Sequence, residues 1–255
     1  MRVVDAVPKS AWGCVAKGWR LTDEHRRGPT HAQLARELGI AIVTGQHAPG
    51  SFLPAEHEIA EHRGVSRGLV REALRMLSAK GLLESKPKTG TRIRDRSSWN
   101  LLDPDLLAWM FEGEPPAGFV HNLFYLRMII EPAAAELAAT LRTPRHLSRM
   151  GHALEQMQEH GLASVVGQAA DQSFHNIILE ATGNELLISL AGTIGAAVRW
   201  TTIYKHRQTR QPSDSMPQHR RLFDAIAEGD APGARDATIA LIDQAQEDTE
   251  FSLRR

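Results

Sequence analysis

Apolar residues first recur at helical spacing at Leu34, Leu38 and Ile42, behind Thr30 as a cap and ahead of the Pro49-Gly50 stop, so a helix is predicted there. A second, short helix is predicted from about Ala55 to Glu61 behind Pro54, with Gly64 ending it. Ser66 then caps a third, Arg67 to Lys80, whose apolar face is Leu69, Val70, Ala73, Leu74 and Leu77, and Gly81 closes it. The run LLESKPKTGTRIR reads as two short strands around Pro87, Thr89 and Gly90, a hairpin. Three helices and a hairpin predict a winged helix-turn-helix over residues 30–96. Ahead of it, residues 1–29 mix Pro and Gly with charges and lack periodicity, which predicts a flexible or loosely docked extension.

Residues 97–117 hold a short amphipathic stretch that Pro104 starts, then a Gly- and Pro-rich break, and are expected to be a linker helix and domain junction. Beyond it only helical patterns follow, near 118–141, 144–160, 162–182, 184–206, 214–228 and 231–253, separated by Pro144, Gly161, Gly183, Pro212 and Gly229. The fold class is therefore mainly α, with an antiparallel helical bundle over 118–255.

Thirty basic and thirty acidic residues cancel, so a nucleic-acid contact has to come from a local patch. Residues 31–95 supply one: seven Arg and three Lys against six Glu and one Asp, a surplus of three positive charges. Arg67 and Arg71 lie one turn apart opposite the apolar stripe of the third helix, and arginine's planar fork suits guanine edges and phosphate. A merely solvated face is the alternative for that helix taken alone. The single cysteine, Cys14, excludes an intrachain disulfide and a Cys-rich zinc module. No apolar run approaches the roughly 18 residues that span a bilayer and the start has no secretory core, so a soluble, cytoplasmic protein is expected.

The stretch LPAEHEIAEHRGVSRGLVREALRMLSAKGLLESKPKTGTRI resembles the DNA-binding signature of GntR-type regulators. The resemblance implies recognition by Ser66, Arg67 and Arg71, with wing contacts at Lys88, Thr89 and Gly90. His57 stands where an arginine is common in the family, and a histidine contact there would make DNA affinity pH-dependent.

In the bundle, Asp171 and His175 are spaced i, i+4 beside Phe174 and Ile178, so both point from one helical face toward the core. His219 precedes Leu222 and Phe223 on another apolar stripe, and Arg127 interrupts a third, where a buried guanidinium needs an anionic partner. Arg199 is a further candidate. Taken singly, each also fits an ordinary hydrogen-bonded core residue. His146, His152, His160 and His206 fall near helix ends or polar faces and are expected to be solvated.

The segments FYLRMIIEPAAAELAA, DQSFHNIILEATGN and HRRLFDAIAEGDAPGAR resemble the helical FCD-type ligand-binding domain of the FadR branch of GntR regulators. Its metal-binding members use an Asp-x-x-x-His pair and two later histidines, which match Asp171, His175, His219 and, at the fourth position, Leu241. The resemblance implies a divalent metal ion (zinc, nickel or manganese) on three ligands, with open positions for a carboxylate or hydroxyl and with Arg127 and Arg199 balancing an acid. WNLLDPDLLAW and Arg199 are similar to galactonate-responsive members. That similarity implies a homodimeric repressor of a sugar-acid operon, bound to operator DNA and released by its effector. The alternative is a regulator of the same fold that senses a metal ion or another carboxylate, with a structural metal site. No Ser-His-Asp set, nucleotide loop or carboxylate pair supports an enzyme.

Overall fold

The computed structural model describes residues 29–86, 89–208 and 213–253. The chain divides into two compact units, one ending at Gly113 and the other beginning at Glu114. The expected extension at residues 1–29 lies, but for its last residue, outside the described residues.

In the first unit, α1 (His31–Val43) starts at a capping box: the Thr30 hydroxyl accepts from the Gln33 amide while the Gln33 side chain takes the Thr30 N–H. Helix α2 (Glu56–Arg63) ends at Gly64, whose left-handed backbone releases the chain toward α3 (Arg67–Ala79). Strands β1 (Leu83–Lys86) and β2 (Gly90–Ile93) form an antiparallel hairpin with Leu83 opposite Ile93. The buried stripes Leu34, Leu38 and Ile42 of α1 and Val70, Leu74 and Leu77 of α3 meet Ile59, Leu82 and Ile93 in one core. Together these elements are a winged helix-turn-helix.

Helix α4 (Pro104–Met110) belongs to the same unit, although the sequence predicts a linker there. Its Trp109 ring lies on Gly39 of α1, where any Cβ would come within 2.3 Å of the indole. Asp103 caps α4 and also accepts from Lys80 at 2.7 Å, while Asp105 accepts from the same ammonium at 2.8 Å. Lys80 is the C-cap of α3, so this ion pair ties the end of α3 to the start of α4. Gly81 follows at φ +79°, with the Ser98 carbonyl so close that no side chain fits.

Helices are the only regular elements among the described residues of the second unit: α5 (Ala117–Leu141), α6 (Pro144–His160), α7 (Val165–Ala181), α8 (Glu185–Ser189), α9 (Ala191–Gln208), α10 (Met216–Glu228) and α11 (Ala231–Leu253). Ala134, Ala135, Ala138 and Ala139 are fully buried on α5, which lies along α11. Helix α7 packs between α6 and α9, and its Phe174, Ile177 and Ile178 fill the centre with Met150, Leu154, Leu222 and Ile226. The single helix predicted over 184–206 is two helices. Leu190 N–H bonds back three residues to Leu187, and the Ser189 hydroxyl donates to the Leu186 carbonyl, so the regular ladder breaks before α9 begins. Among the described residues no helix is long and apolar enough to cross a membrane.

Trp109→Ala should destabilise the first unit by about 3–5 kcal/mol, since a buried indole is lost over a glycine that cannot fill the gap. Calorimetric or urea unfolding checks this, and a loss well below 1 kcal/mol contradicts the packing role of α4.

Candidate metal centre and nucleic-acid interface

Arg67 and Arg71 are exposed one turn apart on α3, the arrangement expected of a groove-reading face. Arg71 is held by Glu56 of α2 at 3.1 Å, so DNA has to compete with that carboxylate. The Ser66 hydroxyl accepts from the Leu69 amide at 3.2 Å and caps the helix whose N-terminal amides face a phosphate in such motifs. His57 is exposed on α2. Thr89 and Gly90 are exposed at the wing tip, Gly90 with φ +108°, and Lys88 lies outside the described residues. Arg75, one turn beyond Arg71, is also exposed and pairs with Glu72, and the sequence reading did not single it out.

In the second unit Asp171 and His175 of α7 and His219 of α10 converge, each with one ligand atom within 4.8 Å of the others and all three buried. His219 Nε2 is 3.1 Å and His175 Nε2 is 3.6 Å from Asp171 Oδ1. The other ring nitrogens are committed. His219 Nδ1 is 2.8 Å from the Ser215 carbonyl, which can only accept, and His175 Nδ1 lies 2.7 Å from Glu131 Oε2, an ion-pair contact outside hydrogen-bond alignment. In the tautomer with Nδ1 as donor, a neutral ring at either position turns its Nε2 lone pair toward the Asp171 carboxylate. Three acceptors aimed at one point need a cation between them, a proton on a ring or a metal ion. The donor set, two imidazoles and one carboxylate, is one that zinc, nickel and manganese accept.

Arg127 is not free beside this cluster. Its Nε donates to Glu131 Oε1 at 2.6 Å and its Nη1 to the Thr201 hydroxyl at 3.4 Å, with arginine and glutamate side chains 3% and 4% exposed. Burial acts to raise the Glu131 carboxyl, but Arg127 and His175 outweigh it and hold it down to about 2. Asp171 is likewise held well below the usual carboxylate range: burial opposes, and the imidazoles of His219 and His175 in their protonated form, together with the Thr202 hydroxyl, which donates at 3.0 Å, prevail. With neutral rings, Arg127, Glu131 and Asp171 sum to one negative charge, so a divalent ion leaves the cluster cationic and receptive to an acid.

Arg199 is half-buried on α9, one turn before Thr202 on the same face, and its buried Nε has no hydrogen-bond partner among the described residues. Leu241 is packed in the apolar core and offers no donor atom. His206 is half-buried rather than solvated, and that burial lowers its pKa. Glu131 and Thr202 escaped the sequence reading. The signal for Glu131 was its place four residues after Arg127, where a buried arginine finds its counter-ion.

Residues 30–93 match the family described as bacterial regulatory proteins, gntR family, and residues 122–244 match the FCD domain. The chain is 32% identical over 207 residues to the galactonate operon transcriptional repressor of Escherichia coli (strain K12), covering 80% of this chain and 90% of that one. It is 30% identical over 204 residues to the HTH-type transcriptional regulator LutR of Bacillus subtilis (strain 168), covering 78% and 91%. In fold it is similar to Lar, described as controlling expression of the Listeria monocytogenes agr system, with a TM-score of 0.64 at 18% identity over 89% of this chain and 99% of that one. A winged helix-turn-helix and a helical unit around a buried polar cluster define a DNA-binding transcriptional regulator with a ligand-binding domain, not an enzyme. The chain belongs to the GntR family and carries an FCD domain.

The sign of the Glu131 shift fixes a pH effect. A carboxylate whose folded pKa is depressed contributes stability that is fully present above its ordinary value of 4.5 and is lost as pH falls toward about 2. Replacing the pair together, Arg127→Met with Glu131→Leu, should therefore flatten the loss of stability of the second unit between about pH 5 and about pH 3. Urea unfolding at a series of pH values checks this, and an acid limb as steep as that of wild type contradicts it.

Proposed function

We propose that this regulator represses a sugar-acid catabolic operon and is released from DNA by an acid held through a divalent ion on Asp171, His175 and His219. The observation that carries this is the convergence of three acceptor atoms within 4.8 Å in a buried site, with both Nδ1 atoms turned to other partners. A bound metal would act there as a Lewis acid that accepts a carboxylate and a neighbouring hydroxyl at its open positions. The protein's own part is orientation and charge: Thr202 steadies Asp171, and Arg199, with its unpartnered Nε, balances the acid. Arg127, spent on Glu131, contributes to the acid only through the field of the cluster. The galactonate operon repressor at 32% identity supports an aldonate as the effector class.

On the DNA side, Arg67 and Arg71 read the groove, Ser66 and the amides it orders meet phosphate, and the wing residues Lys88, Thr89 and Gly90 follow the backbone, with His57 at the margin. One winged helix presents one recognition helix, so the functional form is a homodimer on a near-palindromic operator. Release follows if the liganded unit favours a different spacing of the two recognition helices, because a ligand shifts an equilibrium only by its differential affinity for the two states. The second reading, sensing of the metal itself, rests on the same cluster and differs in outcome: operator binding would respond to metal alone and not to acid at fixed metal.

Arg67→Ala and Arg71→Ala should each weaken specific operator binding by about 1–3 kcal/mol, measured by anisotropy at fixed salt. Unchanged affinity in both removes α3 as the reading helix. Titrating aldonates and aldarates calorimetrically into wild type and His219→Ala, with metal content measured on both, checks the sensor. Effector affinity should collapse with the metal in the variant. Full affinity in His219→Ala, or a wild type that retains no metal after reconstitution, contradicts the metal-bridged site.

A further inference from the structure

Glu131 has no place in the ligand triad, yet its carboxylate is buried with one oxygen against each of two side chains. One oxygen takes Arg127 Nε at 2.6 Å and the other faces His175 Nδ1 at 2.7 Å. A buried Arg–Glu pair at i, i+4 needs no third partner, and an apolar pair of similar volume packs as well in many proteins. What this pair does that an apolar one does not is dictate the hydrogen on His175. A carboxylate at Nδ1 demands N–H there, which leaves Nε2 as the lone pair, and Nε2 is the atom turned toward Asp171 Oδ1. Arg127 in turn holds Glu131 in place through its 2.6 Å hydrogen bond, with Thr201 of α9 as its second contact. The order Arg127, Glu131, His175 runs from α5 into α7, so the first helix of the unit sets the orientation of a ring on another.

We infer that Glu131, clamped by Arg127, is the positioning residue for His175, and that these two residues set the affinity for the metal rather than contact with the acid. The inference rests on the metal reading of the triad and assigns Arg127 a task different from that of Arg199. A carboxylate behind a ligating imidazole raises its basicity and fixes its orientation, and loss of such a partner typically costs about 10–100-fold in metal affinity.

The test uses the full chain with Co2+ as probe and compares wild type, Arg127→Met/Glu131→Leu and Glu131→Gln. Three quantities are read: Co2+ affinity and visible spectrum, the melting temperature of the metal-free protein, and long-range nitrogen-15 spectra of the metal-free histidines, which report the ring nitrogen that carries hydrogen. The double variant should bind Co2+ about 10–100-fold more weakly with an altered spectrum, melt near wild type, and lose the preference of His175 for hydrogen on Nδ1. Wild-type affinity and spectrum with that preference intact overturn the inference. If the double variant does not fold, Glu131→Gln decides: a several-fold loss of Co2+ affinity at unchanged melting temperature supports the role, and wild-type affinity overturns it. If wild type takes up no Co2+, the metal reading falls, and the imidazole spectra alone decide whether Glu131 orients the ring.

Discussion

An ionised carboxylate buried among apolar helices governs the second unit. Asp171 is 2% exposed, and isolated in such surroundings it would cost several kcal/mol of desolvation, so helices that pack around it have to bring compensating groups: a hydroxyl donor, and imidazoles that compensate once they carry a proton or share a cation with it. His219 arrives from α10, His175 from the next turn of α7, and Thr202 from α9. Each compensating group needs its own anchor: the Ser215 carbonyl for His219, Glu131 for His175, and Arg127 for Glu131. Four helices are thereby held in mutual rotation by a polar chain inside a core of Phe174, Ile178, Leu222 and Leu241, and the same chain is what a ligand would perturb.

The polar chain also separates the two arginines by what each has left to offer an anion. An arginine whose charge is matched inside the protein contributes little to an anion arriving from solvent, whereas one with an unpartnered donor atom contributes directly. Arg127 is of the first kind and Arg199 of the second. Two arginines that stand together as candidates in the sequence thus have different chemistry, and the difference lies in a single glutamate.

The first unit depends on close approach rather than on buried charge. Gly39 lets the Trp109 ring lie against α1, and Lys80 fastens the end of α3 to Asp103 and Asp105. The segment after the wing is therefore part of the body that carries the recognition helix. Any displacement of α4 acts on the base of α3 through a salt bridge with a mostly buried ammonium, where screening by solvent is weak.

Local patterns were enough to set the helix ends at Thr30, Ser66, Pro144, Gly161 and Gly229, the hairpin at Leu83 to Ile93, and the shared face of Asp171 and His175, because caps, breakers and i, i+4 spacing act within a turn or two. The break at Leu190 left no proline or glycine at its centre and so no punctuation to read. His219 is 48 residues from Asp171 and Thr202 is 31 away, and the sequence marks them only as polar residues on or near apolar stripes. Glu131 looked like one more charge on α5, and the segment around Trp109 looked like a linker. Which of these meet depends on how each helix is rotated about its own axis when the core closes, a quantity that packing sets globally and periodicity does not encode.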